Sequence, residues 1–203
     1  MIRLFKIIFN AFLLVLAFIG FNAIGGEKYV EQVKTYVSNF IQEHNMQTAQ
    51  KIGDFSKINE EYTIEQAANL MGYKVVIAEH KASKQKMMLV DSGKKPILTK
   101  DDIKSAEIEK KLNKLSKKIK YQEIKVQDVK VVKRGSIQIY GQYVPYAKFE
   151  AHVTKLPFSD VTGIVASVTT SDGMEKLAVS ASDKKKYSQL ITDEFFRKVY
   201  DKK

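Results

Sequence analysis

The run from Ile7 to Ile24, IIFNAFLLVLAFIGFNAI, constrains this chain more than any other feature. At about 1.5 Å per residue, a helix of that length is roughly 27 Å long, close to the thickness of a bilayer's hydrocarbon core. It has no polar face, and nothing later in the chain is apolar enough to enclose it as a buried helix. The basic residues Arg3 and Lys6 precede it, and Ala23-Ile24-Gly25 offers a small-x-small cleavage site. A secretory signal peptide cut near Gly25 or Gly26 is therefore one reading. The run exceeds the ~7–15 residues of an ordinary signal core, and glycine is a weaker cleavage residue than alanine, so a retained transmembrane anchor is the expectation. Positive charge before the span and balanced charge after it put the N-terminus in the cytoplasm and the C-terminal domain outside the cell membrane. The chain has no cysteine, which excludes disulfides, thiolate metal sites and a lipidated anchor.

Beyond the span, 44% hydrophobic residues and only three prolines describe a folded chain. Tyr29, Val33, Tyr36, Val37 and Phe40 recur at helical steps, predicting a helix from Glu27 to Gln42 and a connection from His44 to Ser56. Thr63-Ile-Glu-Gln66 has the capping-box pattern, which predicts a short helix ended by Gly72. Lys74 to Ala78 and Lys86 to Val90 read as two strands of a hairpin. Pro96 and Thr99-Lys-Asp-Asp102 then open a helix with Ile103, Ile108, Leu112, Leu115 and Ile119 on one stripe.

From Glu123 the apolar period changes to two. Ile124, Val126, Val129 and Val131 predict a strand with a bulge near Gln127 and Asp128. Gly135 reads as a turn, and Gly141 and Pro145 as bends in a second strand that resumes through Ala147, Phe149, Ala151 and Val153. Strands at residues 162–169 and 174–181 flank the turn Ser171-Asp-Gly173. Tyr187, Leu190, Ile191, Phe195 and Val199 predict a closing helix over residues 184–200. The expected fold class is α+β: an N-terminal transmembrane helix, a helix-hairpin-helix unit, and an antiparallel β-meander covered by a C-terminal helix. The expected division is 1–26, 27–56, 57–120 and 121–203.

Charge is uneven. Residues 81–120 contain thirteen lysines and five acids, which is eight of the chain's eleven net positive charges. Lys110, Lys111, Lys114, Lys117 and Lys118 lie opposite or beside the apolar stripe of the second helix, and Lys110, Lys114 and Lys117 are the expected contacts for an anionic lipid or polymer. The competing reading is a solvated lysine face. No aromatic interleaves these lysines to stack a base, which argues against nucleic acid. On the strand around residue 150, Tyr146, Lys148, Glu150, His152 and Thr154 project opposite to Ala147 and Phe149. That row is either a ligand or partner face or the solvent side of a half-buried sheet.

No motif points to catalysis. Tyr62 to Gly72 resembles the first helix of helix-turn-helix regulators over eleven residues, but Tyr73 to Ala78, where a recognition helix belongs, is strand-like. Ser83-Lys-Gln-Lys86 has the spacing of penicillin-recognising enzymes without their S-D-N or K-T-G elements, and Ser92-Gly-Lys-Lys95 lacks the rest of a phosphate loop. His44, His80 and His152 are dispersed. No catalytic, cofactor-binding or metal residue is expected. The leading functional expectation is a single-pass membrane-anchored protein with an envelope-facing binding or assembly domain, partnering an envelope protein, a second copy or an anionic lipid or polymer. The alternative is a secreted or periplasmic enzyme or small-ligand binder, with a pocket around Tyr146, Glu150 and His152. A membrane-tethered nucleic-acid binder comes third.

Overall fold

The computed structural model describes residues 45–70, 73–117, 125–154 and 159–202. Their dominant element is one antiparallel sheet of seven strands: β1 (Tyr62–Leu70), β2 (Tyr73–His80), β3 (Lys86–Asp91), β4 (Val126–Ile139), β5 (Gln142–Val153), β6 (Asp160–Thr169) and β7 (Glu175–Asp183). The order across the sheet is β1-β2-β3-β7-β6-β5-β4, so two meanders meet where β3 pairs with β7. Three short helices complete it: α1 (Lys100–Lys104), α2 (Ile108–Ser116) and α3 (Gln189–Arg197); residues 45–49 are helical as well, where the sequence predicts part of a connection.

The sheet has apolar cover on both faces. Ile77, Met88, Phe149, Val165 and Val179 face Ile103 and Ile108 of α1 and α2 in one core. Val76, Leu89, Ile164 and Ala178, one residue out of phase with those, face Phe195 and Phe196 of α3 together with Ile52 and Phe55 in a second. Burial on both sides explains why β3, β6 and β7 show no polar–apolar alternation, with small residues frequent in β6 and β7. Gly163 in β6 is required by closeness: a Cβ there would stand 2.1 Å from the carbonyl oxygen of Ser180.

This architecture corrects the expected fold class. The helix expected from Thr63 is strand β1, although its Glu, Gln and Ala residues favour helix locally. Tertiary contacts override that preference, because Tyr62 and Ile64 enter the second core and a bulge between Ile64 and Gln66 re-aims Glu65. There is thus no helix-hairpin-helix unit, and strands from both sides of residue 120 share the sheet. β2 and β3 do pair as a hairpin, the Thr99–Asp102 capping box is present, and the β4 bulge falls at Gln127 to Lys130. The long helix expected after Thr99 breaks at Ser105, whose backbone is extended. Arg134 of β4 caps the break, its guanidinium donating to the carbonyls of Ile103, Lys104 and Ser105 at 3.0–3.1 Å. Gly135 is not a turn. It lies inside β4 because the Tyr146 ring occupies the space of a Cβ, 2.7 Å away. The hairpin instead turns at Tyr140 and Gly141, both at positive φ (51° and 73°), as a type I′ turn requires. The closing helix is shorter than expected, and Leu190 is 80% exposed while Phe196, not singled out from the sequence, is fully buried.

No helix among the described residues is long and apolar enough to cross a membrane, against the transmembrane expectation. The run from Ile7 to Ile24, the helix expected over residues 27–42, His44, Gly72, Lys118, Ile119 and Ile124 lie outside the described residues.

Both outer strands carry a side-chain cap. On β4, Asn113 of α2 donates to the carbonyl of Val129 (2.7 Å) and accepts from its N–H (3.2 Å), and Glu109 accepts the N–H of Val131 (2.8 Å). On β1, Asn45 donates to the Glu65 carbonyl (2.8 Å) and accepts from the N–H of Ala67 (3.2 Å). Each asparagine amide stands where the next strand's backbone would be, satisfying edge groups that otherwise face water or another chain.

Candidate interaction surface

The helical period fixes what α2 presents. Ile108, Leu112 and Leu115 pack on the first core, and Asn113 and Glu109 reach the β4 edge. Lys110, Lys114 and Lys117, at i, i+4 and i+7, are left together on the solvent side, and all are exposed. Lys110 pairs loosely with Glu107 at 3.2 Å, with both side chains largely in water, and the neighbouring Lys111 is engaged by Asp102. Among the described residues, Lys114 and Lys117 have no carboxylate partner. The expected basic stripe is thus assembled on one face.

The row expected on β5 divides. Tyr146 is buried in the second core, where burial raises its hydroxyl pKa. Lys148, Glu150 and His152 lie beyond that cover, half-buried. Glu150 pairs with Lys184 at 2.7 Å, His152 Nδ1 lies 3.4 Å from Asp160, and Lys148 Nζ sits 4.9 Å over the Tyr187 ring. Tyr146 therefore does not join Glu150 and His152 in a pocket. Sequence reasoning missed Lys130 and Lys133 on β4, which stand directly opposite Glu150 and Lys148 on that same face. Two register shifts in β4 hide this pairing from a simple count of alternate residues.

The polar clusters around Lys86, Lys176, Gln85 and Ser83 are internally satisfied. Lys86, with no exposure, lies between Glu79 and Glu65, its Nζ 2.5 Å from Glu65 Oε2. Burial raises the Glu65 carboxyl to about 6 despite the opposing pull of Lys86. Lys176 Nζ donates to the Ile52 carbonyl (2.8 Å) above the Tyr140 ring, and burial lowers its pKa against the nearby Asp91 and Asp201. Gln85 is buried, with Nε2 donating to Thr192 (2.7 Å) and Oε1 accepting the N–H of Ser188 (2.8 Å), which docks the start of α3. Ser83 Oγ lies 2.9 Å from His80 Nδ1, but that nitrogen also accepts the Ser83 N–H, so the pair closes the β2–β3 turn. Lys86, the other residue of the S-x-x-K spacing, belongs to the carboxylate cluster instead.

An open cleft of about 640 Å³ between Lys94, Pro96 and the β6–β7 turn contains Asp172 and Glu175 but no histidine. Glu175 Oε1 accepts the N–H of Lys100 at 3.2 Å, and its Oε2 is buried without a partner. Among the described residues, no group of three or more histidine or carboxylate side chains is placed to hold a metal ion.

No protein-family model matches this chain, and no curated protein does.

Proposed function

We propose that this protein is a non-catalytic binding module whose working surface is the basic edge formed by α2 and β4, and that its partner is a polyanion. The observation that carries the reading is the alignment of Lys110, Lys114 and Lys117 on the outer side of α2, with Lys114 and Lys117 having no carboxylate partner among the described residues. Lysines held in a row by a packed helix keep their spacing without a conformational change, so an incoming anion meets a preformed field. The buried polar side chains serve the fold: Lys86 and Gln85 each tie two or more elements together, and Lys176 of β7 holds the carbonyl of Ile52.

The test is retention of the full-length chain on immobilised inorganic polyphosphate across a salt series. Three lysine contacts to a flexible polyanion give a slope of log affinity against log salt of roughly −2, at ~0.7 per contact. The variant carrying Lys110→Gln, Lys114→Gln and Lys117→Gln is expected to melt like the parent and to lose that part of the slope. Retention unaltered by the three substitutions and by 0.5 M salt (a screening length of roughly 4 Å) would leave α2 as a solvated face.

A further inference from the structure

We infer that the polyanion is a flexible linear chain of repeated phosphates that passes over the β4 edge and is held on both sides of the sheet, its second contact being the lysine pair Lys133 and Lys148. This rests on the basic-edge reading and adds to it the partner's shape and chemistry.

Lys133 and Lys148 are direct cross-strand neighbours in the β4–β5 register. Residues so opposed project from the same face with Cβ atoms about 4.5–5.5 Å apart, and like charges there repel. The carboxylates nearby are engaged: Glu150, opposite Lys130, pairs with Lys184, Asp160 faces His152, and Asp193, whose charge also acts on Tyr146 and Tyr187, accepts from Gln189 Nε2 at 2.8 Å. Lys148 is steadied over the Tyr187 ring, while Lys133 is exposed and, among the described residues, has no carboxylate partner. An anion between the two ammoniums removes the repulsion and converts an unfavourable pair into a contact.

The sidedness gives the partner's shape. Lys148 alternates with the same set as Val144 and Tyr146, which enter the second core, whereas α2 packs on the first. The two lysine groups therefore stand on opposite faces of the sheet at one edge, with β4 between them. A flat anionic surface laid against α2 meets only one group, whereas a chain that bends meets both. The chemistry follows from the rings. Tyr187 beside the pair already carries Lys148 on its face, and its hydroxyl donates to Gln189 at 3.1 Å, so it offers no free platform for a base. Recognition then falls on the phosphates.

The experiment titrates the full-length chain against fluorescent inorganic polyphosphate of some tens of phosphates, with tripolyphosphate as a probe too short to span the edge. The long chain is expected to bind at least about a hundredfold more tightly, as linked contacts do. Lys133→Gln with Lys148→Gln should cut long-chain affinity about tenfold or more and reduce the salt slope by about 1.4, two contacts' worth. Its melting temperature should stay close to the parent's, since the substitutions remove the repulsion together with the Lys148 contact over the Tyr187 ring. If this pair of substitutions leaves the long chain's affinity and slope unchanged while the three on α2 lower them, the passage over the edge is wrong and the basic-edge reading stands. If neither set matters, the basic-edge reading falls as well. A single-stranded oligonucleotide of matched phosphate number should bind comparably. Binding by the oligonucleotide alone would place recognition in the bases and overturn the proposal.

Discussion

Lys86 has no solvent exposure, and a buried ammonium persists only if its counter-charges are buried beside it. Glu79 and Glu65 provide them, and Glu65 bears the consequence. Burial, the largest influence, raises its carboxyl from an ordinary 4.5 to about 6, so the folded chain binds that proton more tightly than the unfolded chain does. The stability from this group is complete below about pH 4.5 and is lost as pH rises through about 6. Glu65→Gln holds the neutral form at every pH. Urea midpoints of parent and variant should diverge across that window, the parent losing stability relative to the variant as pH rises. A constant difference between them would show that Glu65 does not titrate there. Little of this was legible beforehand, because Glu65 looks like an exposed helix residue until the bulge in β1 turns it towards Lys86.

At the scale of elements, α3 is held by a few side chains. Phe195 and Phe196 are buried, whereas Leu190 on the same short helix is 80% exposed. Phe195→Ala should cost ~3–5 kcal/mol by removing a ring packed against Phe55 and Tyr62, while Leu190→Ala should fall within ~0.5 kcal/mol of the parent. Chemical denaturation of both checks this, and equal losses would mean that α3 docks with a different face. The helix was readable because its apolar residues recur at helical steps, but its orientation was not: Leu190 and Phe195 carry similar apolar weight in sequence. The same limit governed Gly135, whose glycine signals close approach by Tyr146 and not a turn. It also governed the residues after Thr63, where local preference and tertiary pairing conflict. The lysines of α2 were legible because a helix places i, i+4 and i+7 together regardless of tertiary context. Lys133 and Lys148 were not, because strand register across two shifts is a property of the folded sheet.

For the molecule as a whole, the two meanders meet at β3 and β7, leaving β1 and β4 as the outer strands. A sheet is a one-dimensional polymer of strands, and at each end its growth stops or continues with the next available chain. Asn45 and Asn113 act as terminators of that polymer, each an amide that pairs with the last strand and offers no further strand beyond it. Asn113→Ala would leave both backbone groups of Val129 unmatched, at a cost of ~1–3 kcal/mol, and reopen a growing end. Light scattering against concentration should then report more association for the variant than for the parent, and identical scattering by the two would mean that Glu109 alone suffices to seal β4. On this view, two asparagines help to set the strand count of this sheet at seven.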